Sequence, residues 1–433
     1  EEKISVKAVT LNYWTVYNDV AQLKKFAAEF KIQRPYIKVN IRQVRYEEFE
    51  DLLLNALADD VSPDVVSLNV RDLHKYAPRL SAMPSSVETS KIFTQGQYFK
   101  ETVIETETLP MPTTRYVESQ YIKTVYDDVV INKEIYGLPL AVDTLVLYYN
   151  EDLLDKAGFA EPPKTWDDFT EAIKASTKFD ANGGILQSGV ALGTGGNIDN
   201  AFDILSLFML QSGVTMAKGN YVGFAAGLGP GSFEDHPTVK ALNFYTDFAR
   251  PNKEVYTWDK KQGNALKEFV RGKAAFYFGF AYDLPLIQAQ APQMNLEVIP
   301  VPQLNEEESI NVANYWVESV VNKSKHKNEA WDFVRFITTP EKVKEYTTAT
   351  RQPTPLRSQI ADQKEDDILG PFVSQILNVE NWYRGRDYTV AKEAVMKMLD
   401  VYTEPFEDNP KQSEVQYKAS LITNAARVVQ QTM

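Results

Sequence analysis

Tyr136-Gly137-Leu138-Pro139-Leu140-Ala141-Val142-Asp143-Thr144-Leu145-Val146-Leu147-Tyr148-Tyr149-Asn150 is an extended apolar and aromatic run with one carboxylate at its middle. Strands in globular domains are usually about five or six residues long, so a run of this length reads as chain that leaves one sheet and enters another. It predicts a crossing between two lobes. A lone carboxylate in an apolar run needs a partner, which makes Asp143 a functional candidate against the plainer reading of a surface residue in a connecting strand.

Upstream of the run, apolar and polar residues alternate from Ile4 to Leu11 and predict a strand, followed by a polar aromatic loop from Asn12 to Tyr17. Val20, Leu23, Phe26, Ala27 and Phe30 then recur at helical spacing, with Asn18 or Asp19 placed to cap and Pro35 to close. Ile37, Val39 and Ile41 alternate as a second strand. Phe49, Leu52, Leu53, Ala56 and Leu57 form a second helical face, and Val65-Val66-Ser67-Leu68 a third strand. The order β-α-β-α-β is the signature of a parallel sheet. In such sheets the loops leaving the carboxyl ends of strands line the ligand crevice, which singles out Asn12–Asn18 and Asn69–Asp72. Residues 81–135 have weak periodicity and read as short helices and loops.

Downstream, a helix ends at Gly158, and Thr165 with Asp168 resembles a capping box in which Asp replaces the usual Glu. Asp180-Ala181-Asn182-Gly183-Gly184 is read as a plain turn, because Ile185 and Ala191 stand where a calcium loop needs glycine and glutamate. The loop Gly193-Thr194-Gly195-Gly196-Asn197 either presents backbone amides to a ligand or permits tight packing before an apolar helix from Ala201 to Leu210. Further helices are expected near Pro237–Phe248, Ala265–Arg271, Glu329–Ile337, Pro340–Thr348 and Val390–Leu399, with buried strands at Ala274–Phe278 and Leu296–Pro300.

Composition narrows the function. The 433 residues are 44% hydrophobic and 24% charged, as in ordinary globular proteins. A net charge of −13 with no basic block argues against nucleic acid as a partner. No cysteine is present, so thiol chemistry and disulfides are excluded. His74, His236 and His326 are isolated and are expected at the surface, which leaves zinc and histidine-based triads without support. The glycine loops lack the spacing that cradles phosphates. Neither metal nor cofactor is expected. No apolar run approaches the roughly 18 residues needed to span a bilayer, and the opening at Glu1 reads as chain from which a leader was removed.

Aromatic residues make up 12% and several stand at predicted strand ends beside amide, carboxylate or guanidinium groups: Trp14, Tyr282, Trp316, Trp382 and Tyr383. That mixture suits carbohydrate, whose C–H faces pack on rings while its hydroxyls both donate and accept. Each tryptophan taken alone is equally a core residue.

The chain resembles the extracellular solute-binding proteins of ABC sugar importers, the group that includes the maltose-binding protein. The resemblance rests on Tyr136–Asn150 followed by Pro162-Pro163-Lys164-Thr165-Trp166-Asp167-Asp168-Phe169, on Phe26–Phe30 with Pro35–Val39, and on Ser62–Val66, Gly272–Phe276 and the region of Trp382-Tyr383. It implies an α/β, two-lobed periplasmic-binding-protein fold in which each lobe is a mainly parallel sheet flanked by helices, closing on a solute without changing it. By position, it implies that Asp143 accepts sugar hydroxyls and that Trp14, Tyr17, Asn69 and Arg71 line the first lobe. Asn197, Phe280, Tyr282, Trp382 and Tyr383 would line the second, with Trp316, Glu318 and Arg351 near the later crossings. The implied lobes are 1–141 plus 303–350 and 142–302 plus 351–433. The implied partners are a small carbohydrate and a membrane permease, with the chain a monomer in the periplasm or at the cell surface and a lipid anchor ahead of Glu1 as one option. Two alternatives stay open: a peptide, polyamine or oxyanion as cargo, and a carbohydrate-active hydrolase or lyase using two carboxylates.

Overall fold

The computed structural model describes residues 6–96, 101–229, 231–305, 307–407 and 411–433. The chain divides into two compact units, Glu1–Val142 with Asn314–Gln363 and Asp143–Ala313 with Lys364–Met433. The second and third passages between units fall later than 302/303 and 350/351, for a reason visible in the hydrogen bonds. Thr165 bridges to Gln303, and the Gln211 amide donates to the carbonyls of Pro302 and Ile310, which holds that segment in unit 2. Pro353 and Pro355 accept from Val142 and Ile122, and Arg357 donates to Tyr121, which holds that segment in unit 1.

Unit 1 is built on strand β1 (Val9–Thr15), helix α1 (Val20–Gln33), strand β2 (Ile37–Gln43), helix α2 (Tyr46–Ala58) and strand β3 (Val65–Asn69). β1 lies between β2 and β3 and is parallel to both, so the chain steps outward to one side and then back across to the other. The strand Trp316–Val321 joins antiparallel to β3 and carries Leu80–Ser81 at its far edge. β1 runs on through Thr15, so Asn12–Thr15 is strand where a loop is expected; the proposed start at Ile4–Ser5 lies outside the described residues. Asp19 caps α1, accepting from the Gln22 amide at 2.8 Å. Leu23, Phe26 and Phe30 bury against Tyr13, Phe333 and Phe336.

Residues 81–135 depart most from expectation. Ser86–Gln95 and Glu101–Pro110 pair antiparallel over their full lengths as a two-stranded ribbon, followed by helices Thr114–Gln120 and Lys123–Val129. A ribbon wet on both faces for much of its length has no apolar face to set a period of two, which is why its sequence reads as loop. Its base is fastened by the Arg34 guanidinium, which reaches Glu107 at 2.7 Å and the buried Asp332 at 2.9 Å.

Unit 2 contains a five-stranded sheet in the order Lys178–Phe179, Ile185–Val190, Ala274–Gly279, Val146–Asn150, Leu296–Pro300. Only Ile185–Val190 and Ala274–Gly279 run parallel; the other pairs are antiparallel, so the sheet is mixed rather than mainly parallel. The run that opened the sequence is not one strand: it passes from unit 1 to unit 2 at Val142/Asp143, and its second half becomes Val146–Asn150. Thr165 and Asp168 form the expected capping box at the start of helix Trp166–Ser176. The apolar helix Ala201–Gln211 is almost wholly buried, and the chain ends in two long helices, Tyr388–Thr403 and Glu414–Thr432. The glycine loop serves packing: a Cβ on Gly193 would stand 2.5 Å from that of Ala249, and one on Gly195 2.5 Å from the Met396 carbonyl oxygen.

Candidate functional site

At the carboxyl ends of β1 and β3 in unit 1, where the chain direction switches, three rings meet. Tyr17 stands edge-on to Trp316, with ring centroids 5.3 Å apart, and Tyr46 lies 6.0 Å from Tyr17. Tyr17 is 52% and Tyr46 54% exposed, while Phe49 backs Trp316 from inside at 6.2 Å. Trp316 is fixed opposite Asn69 in the antiparallel ladder, and the Asn69 amide donates to Asn314 at 2.9 Å. Wet rings thus stand beside carboxamides on a rigid sheet edge. Tyr46 is absent from the sequence-based set; it opens α2, directly after β2, and the loop leaving that strand's carboxyl end was the signal for it.

Beneath this edge Glu318 is fully buried. Its carboxyl accepts from Asn18 at 2.7 Å, from the Ser67 hydroxyl at 3.0 Å and from the Tyr13 hydroxyl. Burial raises its pKa above the usual carboxylate value, against those three donors. Glu318 is a support under the edge, with no surface left for a solute. Trp14 is nearly buried and one face of its ring lies under the Arg42 guanidinium, 4.8 Å away. Arg71 is buried in the turn after β3, and Arg351 is exposed in a left-handed conformation (φ 51°) at the end of helix Pro340–Thr350.

In unit 2 the strand Ala274–Gly279 ends at a turn, Phe280–Asp283, before helix Leu284–Gln290. Tyr282 is 41% exposed and stacks on the buried ring of Phe280, with centroids 5.5 Å apart and planes 16° from parallel. Asp143 faces this turn. One carboxylate oxygen accepts from Ala281 at 2.9 Å and from Thr144 at 2.9 Å, and the other from Tyr282 at 3.1 Å. Burial nonetheless raises the Asp143 carboxyl to about 7, as it does Asp283 in the same turn.

Other expected contacts are spread through the interior of unit 2. The Asn197 amide donates to the carbonyls of Asp259, Gln262 and Gly263 and accepts from Trp258, pinning a neighbouring loop. Trp382 donates its indole N–H to Ser206 at 2.9 Å and stacks on Phe202 at 5.5 Å. Tyr383 is fully buried, donating to Thr432 at 2.8 Å. In these contacts Asn197, Phe280, Trp382 and Tyr383 serve as scaffold. Tyr282 alone among the unit 2 candidates combines a wet ring with a rigid backing. Two cavities elsewhere in unit 2, of about 410 Å³ under Trp166 and Phe244 and about 600 Å³ beside Arg250 and Lys261, lie among other residues. No helix among the described residues is long and apolar enough to cross a membrane.

Residues 21–368 match the model of the bacterial extracellular solute-binding proteins. The chain belongs to that family. Among curated members, it is 24% identical over 369 residues to the multiple sugar-binding protein of Streptococcus mutans serotype c, covering 82% of this chain and 77% of that one. Among solved structures, it is similar to the cyclic α-maltosyl-1,6-maltose binding protein of Arthrobacter globiformis, with a TM-score of 0.74, 14% identity and coverage of 98% and 100%. It is similar also to UgpB of Mycobacterium tuberculosis in complex with glycerophosphocholine, with a TM-score of 0.71, 16% identity and coverage of 99% and 100%. The family's fold is the two-lobed periplasmic-binding-protein architecture, and the two units are its lobes.

Proposed function

We propose that this protein is the solute-capturing component of an ABC importer, that its cargo is a carbohydrate held without chemical change, and that it hands this cargo to a membrane permease. The observation that carries the reading is the ring cluster Tyr17, Tyr46 and Trp316 beside Asn69 at the carboxyl ends of β1 and β3. Flat apolar faces next to groups that both donate and accept match the two-sided chemistry of a sugar ring. Tyr282 in unit 2 offers a further platform. The sugar names carried by relatives, such as the Streptococcus mutans protein, point the same way. A permease partner and residence outside the cytoplasm are part of this reading, and membership of the bacterial extracellular solute-binding proteins supports both.

A quaternary ammonium solute is the second reading, because clustered rings also suit a cation without hydrogen bonds to give. A thermal-shift panel of mono- and oligosaccharides, with choline and glycerophosphocholine beside them, separates the two, since a ligand that binds only the folded chain raises Tm. Shifts with saccharides, lost in Trp316→Ala, are expected. Shifts with choline compounds, amino acids or polyamines and with no saccharide would overturn the assignment of cargo, and release of product from an oligosaccharide would overturn capture without chemistry.

A further inference from the structure

We propose that Asp143 is a positioning residue rather than a contact for the solute: with Asp283 it clamps the turn Phe280–Asp283 so that the Tyr282 ring is held at the surface. This rests on the reading of Tyr282 as a sugar platform, and it reverses the role that the resemblance implies for Asp143.

The geometry leaves the Asp143 carboxylate little to offer a sugar. Both oxygens are engaged by three backbone N–H groups, two of them from consecutive residues of the turn. The carboxylate therefore acts as a cap for the short helical segment that begins at Ala281, satisfying amides that have no partner within the segment. The turn is held from other sides as well. Asp283 accepts from the Phe280 amide at 3.1 Å, and the Tyr148 hydroxyl donates to the Phe280 carbonyl at 2.6 Å. Gly279 has no room for a side chain, since a Cβ there would stand 2.8 Å from the Asp283 carboxylate. The N–H groups of Phe280, Ala281 and Tyr282 and the Phe280 carbonyl are thus each met by a buried side chain, while the partly exposed Tyr282 ring rests on Phe280 with its hydroxyl 3.5 Å from the Asn200 side-chain oxygen. A platform built this way loses little entropy when a solute arrives, because it is already in its bound geometry.

The charges around the clamp are of one sign. Facing Asp143 are Asp283 and Tyr282 from the turn and Tyr148 from the strand Val146–Asn150; Tyr277 and, from the loop before Ala201, Asp199 act on Asp283. No lysine, arginine or histidine among the described residues pairs with either aspartate. Burial without a counter-charge places both carboxyls at about 7, so they change protonation near neutrality. A protonated Asp143 keeps only one good acceptor oxygen for amides from Ala281 and Tyr282, so the clamp loosens as pH falls.

The test needs no solute at first. With 3-fluorotyrosine incorporated, the Tyr282 resonance, assigned by its loss in Tyr282→Phe, is followed by fluorine NMR between pH 6 and 8. The resonance is expected to move through this range in the wild type, and in Asp143→Asn to lie nearer the low-pH position and to keep only the smaller movement that Asp283 imposes. A Tyr282 resonance that is the same in wild type and Asp143→Asn at every pH overturns the clamp. Should Asp143→Asn fail to fold, Asp283→Asn is read in the same way. The second arm is a double-mutant cycle with maltotetraose and lactose. Asp143→Asn is expected to weaken binding roughly tenfold in the wild-type background and to have no further effect in Tyr282→Ala. An equal loss in both backgrounds means that Asp143 touches the sugar and ends the proposal. If neither sugar binds the wild type, that counts against the reading of the cargo, and the fluorine result still decides the clamp.

Discussion

Tyr17 and Trp316 meet edge-to-face with ring centroids 5.3 Å apart, although they are distant in sequence and lie on different elements. Each ring buttresses the other, and Tyr46 and Phe49 extend the cluster on either side. Removing one ring should therefore disturb the other. Tyr17→Ala and Trp316→Ala are each expected to weaken carbohydrate binding by about tenfold, on the scale of one aromatic contact. The double variant should lose less than the product of the two. Isothermal titration checks this, and strict additivity would show that the rings act independently.

The buried acids make stability depend on pH in an unusual direction. An exposed aspartate titrates near 3.8, whereas Asp143 and Asp283 are held at about 7 by burial. A carboxyl whose pKa is raised on folding contributes stability that is present below about pH 4 and is lost as the pH rises to about 7, because the unfolded chain gives up that proton first. Asp143→Asn cannot ionise. It should therefore gain on the wild type between pH 4 and 8, by at most about 1.4 kcal/mol for each unit of the shift. Urea denaturation across that range reads the difference, and a gap that does not vary with pH would contradict it.

Glu318 is the support under the ring cluster in unit 1. Glu318→Ala leaves Tyr13, Asn18 and Ser67 without their acceptor in the interior, at a cost on the order of 3 kcal/mol. Glu318→Gln keeps one acceptor oxygen and should cost less than half of that. Denaturant midpoints of the two variants provide the comparison, with equal losses as the contrary result.

Gly195→Ala should destabilise unit 2 without touching a solute. The added methyl would stand 2.5 Å from the Met396 carbonyl oxygen and 3.2 Å from its Cα, in the backbone of helix Tyr388–Thr403. Overpacking of this kind costs about 1–3 kcal/mol. A lowered Tm with unaltered saccharide affinity is expected; a large loss of affinity at unchanged Tm would return the glycine loop to the binding surface.

Much of the fold was legible because its signals are local. The face Leu23, Phe26 and Phe30 defines α1, Asp19 caps it, and Thr165 with Asp168 caps the helix that follows the crossing. The ribbon of Ser86–Gln95 and Glu101–Pro110 was not legible, since its strands find their partners in each other and bury a face only at the base, around Val87 and Thr89. The later crossings were misjudged because the 303–313 and 351–363 segments are assigned by hydrogen bonds to distant residues such as Gln211 and Tyr121.

The candidate site divides along the same line. Sequence alone determined that a β-α-β-α-β unit would place loops with Tyr17 and Asn69 at one edge of a sheet, and that a single carboxylate would stand where the chain passes between lobes. These follow from the period of apolar residues, which reports the face that each element buries. Only the tertiary structure decided that Asp143 spends its oxygens on amides 138 and 139 residues away, that Glu318 and Tyr383 are interior, and that Tyr46 belongs beside Tyr17. Whether a polar side chain serves a solute or the scaffold depends on which partners strand register and packing bring to it, and no local pattern records those partners.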